Sequence, residues 1–222
     1  MSIKNFIFDM DGVIIDSEHL WRKADMDAFA QEGIEMSLEE TQKGAGLRID
    51  DLVYQRQRKY SFDDKTAKKL IQNIFNNVSE MISTQGIAKS GLHQAIENLR
   101  KHDIKLAVAS STPLSIIQLV LKKFGLDKNT FAAVCSGEFE KYAKPHPSVY
   151  LTVMQKLGAS PFTCAAIEDS LAGVISVKAA RIYCIAVPEP WENYAKGYNV
   201  ADKVIPNLNA IDDNFVKKLI SN

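Results

Sequence analysis

The sequence predicts an α/β fold: a Rossmann-like parallel sheet with an all-helical insertion after its first strand. Three observations carry that expectation. A short apolar segment near the N-terminus stops at two acidic residues and a glycine. From about residue 88 onward, apolar strand-like runs alternate with segments of helical period. Between residues 17 and 84 the strand signal is missing and the apolar spacing is helical.

The first strand is expected over residues 3–8, short and apolar enough to be buried on both faces. Residues 91–102 predict a helix with Leu92, Ala95, Ile96 and Leu99 on one face, followed by a strand over 104–109. A helix over 114–124 closes at Gly125, and a short strand is expected over 132–135. A helix over 147–157 ends at Gly158, then come a strand over 164–167, a helix over 172–179 and a strand over 183–187. In the insertion the clearest pattern is 64–82, where Leu70, Ile71, Ile74, Phe75, Val78, Met81 and Ile82 recur at three- and four-residue steps. The expected division is a core of residues 1–15 and 88–222 and a helical cap of residues 16–87. Its hinges are expected near Asp16 and over 86–91.

Bulk properties narrow the function. With 46% hydrophobic residues in 222, one large core and a smaller attached unit can both be built. Lys plus Arg and Asp plus Glu number 27 each, and no sustained basic run occurs, so nucleic acid is not expected as a partner. Acidic residues interrupt the N-terminal apolar run too early for a signal core, and no stretch approaches the roughly 20 apolar residues of a membrane helix. The expectation is a soluble, cytoplasmic monomer with no membrane partner. Cys135, Cys164 and Cys184 are an odd number without CxxC spacing, and each sits in or beside an apolar segment. They are expected to be reduced, buried thiols.

In an open parallel sheet, ligands bind beyond the carboxyl ends of the strands. Four groups fall there. Asp9 and Asp11 follow the first strand, Ser110 and Ser111 follow the strand ending at 109, Glu168 and Asp169 follow the strand ending at 167, and Lys144 precedes Pro145 in a loop before a helix. Two carboxylate pairs at neighbouring strand ends repel each other unless a cation lies between them. Mg²⁺ suits an all-oxygen site without His or Cys, and it accepts a phosphate oxygen as a further ligand. Ser110 and nearby backbone amides can donate to phosphate, and Lys144 supplies a compact positive charge. Phosphoryl transfer consists largely of positioning and charge neutralisation, which such a set can provide.

The segment Asp9-Met10-Asp11-Gly12-Val13 resembles the first motif of the haloacid dehalogenase superfamily. Ser110, Lys144-Pro145 and Glu168-Asp169 resemble its second, third and fourth motifs, in order and over essentially the whole chain. The resemblance implies a Mg²⁺-dependent phosphatase acting on a small phosphorylated metabolite. It implies Asp9 as nucleophile, Asp11 as general acid and base, and Ser110, Ser111 and Lys144 as phosphate binders. It further implies Mg²⁺ held by Asp9, the backbone carbonyl of Asp11, and Asp169, with Glu168 assisting directly or through water. The helical insertion resembles the cap of the β-phosphoglucomutase-like branch. The stretches 46–50, 144–150 and 167–170 resemble the sugar and sugar-alcohol phosphate phosphatases of that branch. That likeness implies hexose or hexitol phosphates as substrates, with Arg48 on the cap touching the substrate. Mutases of the branch carry a His where this chain has Trp21, which argues against mutase activity; the hinge at 88–91 also lacks the proline common in relatives.

Other readings of the same residues exist. Ser110 and Ser111 are good helix N-cap residues, and Arg48 could pair with Asp50 or Asp51. A Ser110, His146 and Asp169 triad is disfavoured because no serine sits in a Gly-x-Ser-x-Gly elbow. Trp191 and Tyr194 are expected to pack onto the edge of the core.

Overall fold

The computed structural model describes residues 2–42, 44, 46–126, 129–189 and 197–221. Trp191 and Tyr194 lie outside the described residues. Six parallel strands form one sheet in the order β3-β2-β1-β4-β5-β6. They are β1 (Asn5–Phe8), β2 (Lys105–Ser110), β3 (Ala133–Ser136), β4 (Cys164–Glu168), β5 (Tyr183–Ala186) and β6 (Lys203–Val204). Strand β1 lies in the middle, with the chain winding outward from it in both directions, so its carboxyl end is the topological switch point.

All four residues of β1 are buried, and their alternation feeds two cores. Phe6 and Phe8 join the side covered by α5 (Leu92–Lys101), α6 (Leu114–Lys123) and α9 (Asp213–Ser221). Ile7 joins the side covered by α7 (Ser148–Leu157) and α8 (Leu171–Ala179), where Tyr150, Val153, Val174 and Val177 pack. That two-sided burial is what a continuous apolar strand needs in a parallel sheet.

Between β1 and β2 lie α1 (Glu18–Gln31), α2 (Leu38–Gln42), α3 (Ile49–Tyr60) and α4 (Asp64–Gln85). The buried face of α4, Ala67, Leu70, Ile74, Val78 and Ile82, has the three- and four-residue spacing of its sequence and shares a core with Leu20, Ala24, Ala28 and Phe29 of α1. Asp63 caps α4 by accepting from the Thr66 amide at 2.8 Å. Where the chain leaves and re-enters the sheet region, Ile15 bridges Ala88. The Asp16 amide donates to the Ile87 carbonyl and the Lys89 amide to that of Ile14, both at 3.0 Å.

Some details differ from the sequence expectation. The first strand starts at Asn5 rather than residue 3, although Ile3 is buried. Ser110 and Glu168 do not follow their strands but end them, because β3 and β5 reach far enough to pair with them, Ser110 with Ser136 and Glu168 with Ala186. Strand β6 and helix α9 are additions: two exposed residues carry no strand pattern, and α9 is a short amphipathic closure.

Candidate active site

The four predicted groups converge at the carboxyl end of the sheet. The Asp9 amide donates to the Ile167 carbonyl at 3.0 Å, which continues the β1–β4 ladder past the strand and fixes the backbone of Asp9. Lys144 comes from the loop before α7, preceding a cis Pro145. Its ammonium donates to Asp9 Oδ1 at 2.7 Å and to Glu168 Oε1 at 2.6 Å. The Tyr150 hydroxyl, one turn into α7, donates to the same Glu168 oxygen, and Ser170 Oγ reaches Oε2 at 3.4 Å. Glu168 is wholly buried, and a Cβ on Gly173 would stand 1.9 Å from its Oε2, so that helix position has to be glycine.

Asp9, Glu168 and Asp169 each offer an oxygen, all within 4.8 Å of one another. Gly12 makes room for the third: its φ is +73°, and a Cβ there would lie 1.8 Å from Asp169 Oδ2. Burial and then the charge of Glu168 push Asp9 up to about 8, against the opposing pull of Lys144. Burial, then Asp9 and Glu168, hold Asp169 well above the usual carboxylate range. Burial alone would lower the Lys144 ammonium, yet Asp9 and Glu168 hold it above the ordinary lysine value. Three buried carboxyl groups against one buried ammonium leave an excess of negative charge, and the available donors are all oxygen. The donor set therefore fits a hard divalent cation such as Mg²⁺.

Asp11 is held apart from that cluster. Ser17 Oγ and Trp21 Nε1 donate to its Oδ1, and Thr112 Oγ1 to its Oδ2, each at 2.6 Å. Ser110 is buried at the end of β2, and its Oγ accepts from the Thr112 amide at 3.1 Å; neither serine caps α6, whose N-cap position is Pro113 with no side-chain cap hydrogen bond. Ser111 Oγ reaches across to the Gly46 carbonyl of the helical insertion at 3.1 Å. Ser17, Thr112 and Tyr150 are the partners that sequence reasoning missed. Thr112 lies 101 residues from Asp11, and no periodicity marks a lone hydroxyl in a loop.

A cleft is lined by Asp9, Asp11, Ser110, Ser111, Lys144 and Asp169 from the sheet side, and by residues of α1, α3 and α4 with Thr41, Gly44, Gly46 and Leu47 from the insertion. Arg48 is not among the described residues lining it. Its guanidinium binds Asp50 at 2.6 Å and Asp51 at 3.4 Å, and it donates to the carbonyls of Gly137 at 3.2 Å and Glu140 at 2.9 Å, across the gap to the sheet region. Arg48 therefore ties the two parts together. Arg48→Ala is expected to lower kcat/KM by about tenfold, the worth of one or two charge-assisted hydrogen bonds, and by a similar factor for every substrate. A changed ranking of substrates in the same assay would instead place Arg48 against the substrate.

The sequence matches the haloacid dehalogenase-like hydrolase family over residues 6–187. The chain belongs to that family. It is similar to hexitol phosphatase B of Escherichia coli K12, 35% identical over 206 residues and covering 91% of each chain. It is also similar to the CbbY protein of Rhodobacter capsulatus, 28% identical over 229 residues that span 99% of this chain and 100% of the other. Among solved structures, the β-phosphoglucomutase of Clostridium difficile superposes with a TM-score of 0.84 at 22% identity, covering 99% of this chain and 97% of that one. A hydrolase from Pseudomonas syringae superposes with a TM-score of 0.86 at 21% identity, covering 97% and 99%. These likenesses establish the Rossmann-like architecture of this haloacid dehalogenase-like hydrolase. No helix among the described residues is long and apolar enough to cross a membrane.

Proposed function

We propose that this hydrolase is a Mg²⁺-dependent phosphomonoesterase acting on small sugar or sugar-alcohol phosphates, hexose and hexitol phosphates such as 2-deoxyglucose 6-phosphate, through an aspartyl-phosphate. The observation that carries it is the seating of Asp9 against Lys144 inside an acidic cluster, with Asp11 opening onto the same cleft. The substrate range is suggested by the likeness to hexitol phosphatase B. Residues 1–15 and 88–222 would form the catalytic core, and residues 16–87 a cap that excludes water and selects the substrate.

In this reading an Asp9 carboxylate oxygen attacks phosphorus and the bond from phosphorus to the sugar oxygen breaks. Asp11 gives its proton to the departing alkoxide. Asp11, now a carboxylate, takes a proton from water as that water attacks the phosphorus of the aspartyl-phosphate and frees Asp9. The donors Ser17, Trp21 and Thr112 suit this role, because they fix the orientation of the Asp11 carboxyl group in the cleft. By the family resemblance Trp21 stands where mutases of the branch carry a His, and an indole N–H donates only, which favours hydrolysis over mutase chemistry in this reading. Lys144 and Ser110 would bind the transferring phosphoryl group. Bound Mg²⁺ would be held by Asp9, the Asp11 carbonyl and Asp169 with Glu168 beside them, neutralising the carboxylates and polarising a phosphoryl oxygen. The protein is taken to act as a monomer, and its three buried free cysteines suit a reducing cytoplasm.

Phosphate release from hexose phosphates, hexitol phosphates, phosphoglycolate and nucleotides, with Mg²⁺ or with EDTA, tests the proposal. The expected result is release concentrated on hexose and hexitol phosphates and abolished by EDTA. Isomerised sugar phosphate forming faster than free phosphate would establish a mutase instead, and release mainly from phosphoglycolate would discard the substrate class.

A further inference from the structure

The insertion side of the cleft carries a buried ion pair that the proposed chemistry does not use. Asp25 lies on α1 one turn beyond Trp21 and lines the cleft, yet is only 4% exposed. Arg56 of α3 places Nη1 at 2.7 Å from both Asp25 oxygens. Arg56 is itself fixed: Nη2 reaches the Glu40 carbonyl at 3.4 Å, and the guanidinium lies 5.4 Å from the centre of the Phe29 ring.

Such a pair is a poor way to hold two helices together. Removing two charges from water costs several kcal/mol per ion, and apolar residues of similar volume often do as well or better. The helices already share Leu20, Ala24, Ala28, Phe29 and Val53 in one apolar core. What the pair offers is acceptor capacity. A carboxylate has about four lone-pair sites, and a single guanidinium nitrogen occupies roughly half of them. An oriented acceptor that is partly used and set in a cleft wall beside the apolar faces of Leu52 and Phe75 suits a ligand with hydroxyl groups along a carbon chain.

We infer that Asp25, fixed by Arg56, accepts hydrogen bonds from substrate hydroxyl groups remote from the phosphate, so that the cleft selects polyhydroxylated chains longer than three carbons. The inference rests on the phosphatase reading for what occupies the other end of the cleft. Trp21 touches Asp11, the group assigned to the leaving oxygen, and Asp25 follows it by four helical residues, roughly 6 Å along the axis. A six-carbon chain presents several hydroxyl groups beyond that span, whereas a three-carbon glycerol phosphate offers two at most.

The test uses the full chain carrying Asp9→Asn, which separates binding from turnover, titrated calorimetrically in Mg²⁺ with sorbitol 6-phosphate and with glycerol 3-phosphate. Adding Asp25→Asn is expected to weaken sorbitol 6-phosphate about 30-fold and to reduce its preference over glycerol 3-phosphate at least about tenfold. A purely structural pair would weaken both ligands in proportion and leave the preference unchanged. That result overturns the inference, as does undetectable binding of sorbitol 6-phosphate to Asp9→Asn protein. Should Asp25→Asn fail to fold, deoxy analogues of sorbitol 6-phosphate titrated into Asp9→Asn protein decide the matter. At least one missing remote hydroxyl should cost about tenfold or more, and uniform affinity across the series overturns the inference. Selective binding by wild-type protein that releases no phosphate would remove the hydrolase reading while retaining this one. Release without dependence on Asp25 would do the reverse.

Discussion

Asp9→Asn is expected to lower kcat by at least about 10⁴-fold and, at neutral pH without metal, to make the protein more stable. In the proposed mechanism the loss of rate follows from removing the nucleophilic oxygen of the covalent intermediate. The gain in stability follows from the electrostatics of the cluster. Burial and Glu168 push Asp9 up to about 8 from an unfolded value near 3.8, so the fold disfavours its charge. A group shifted in that direction costs nothing below about pH 4, where it is protonated in both states. Its cost grows as the pH rises toward about 8, because the unfolded chain releases that proton more readily. Asn carries no such charge. The advantage of Asp9→Asn over wild type should therefore be absent near pH 4 and increase up to about pH 8 in EDTA, with about 2–4 °C in Tm for each kcal/mol in a chain of this size. Mg²⁺ should stabilise the wild type by binding the folded state and narrow the difference. Thermal unfolding of both proteins across that pH range is the measurement; a difference in Tm that does not change with pH would sink the electrostatic account.

The second large effect is expected at Lys144. In Lys144→Met, Glu168 stays fully buried with only hydroxyl partners among the described residues, Tyr150 and Ser170, and Asp9 loses its ammonium. Breaking a buried pair from one side costs about 3–5 kcal/mol, because the remaining charge has no compensation. If Lys144 binds the transferring phosphoryl group as proposed, its loss should lower kcat by about 10²–10³-fold. Urea unfolding should show a lower midpoint at unchanged slope, and the second change Glu168→Gln should restore part of the stability but none of the rate. Unfolding free energies of wild type and Lys144→Met that agree within about 1 kcal/mol would show that the ion pair is not buried as described.

What could be read in advance from the sequence follows physical lines. Asp9 and Asp11 were legible because the apolar run Phe6–Phe8 ends on them, and a parallel sheet gathers its strand ends at one edge. Lys144 was legible through its place in an ordered set of motifs, since a lone lysine before a proline carries no pattern. The helices of the insertion were legible because α4 repeats its apolar face over 22 residues. Thr112, Ser17 and Tyr150 were not, because a hydroxyl acquires its partner only when distant segments meet. Arg48 shows a different limit. Its pairing with Asp50 and Asp51 is local in sequence, but the carbonyls it reaches are 89 and 92 residues away.

Those carbonyls have an evolutionary consequence. On the sheet side, Arg48 grips main chain at Gly137 and Glu140, and main chain survives substitution. Apart from Gly137, whose backbone lies against Ser111, the residues of that rim can drift without releasing the grip. A lineage can thus vary the rim over generations and inherit this contact intact.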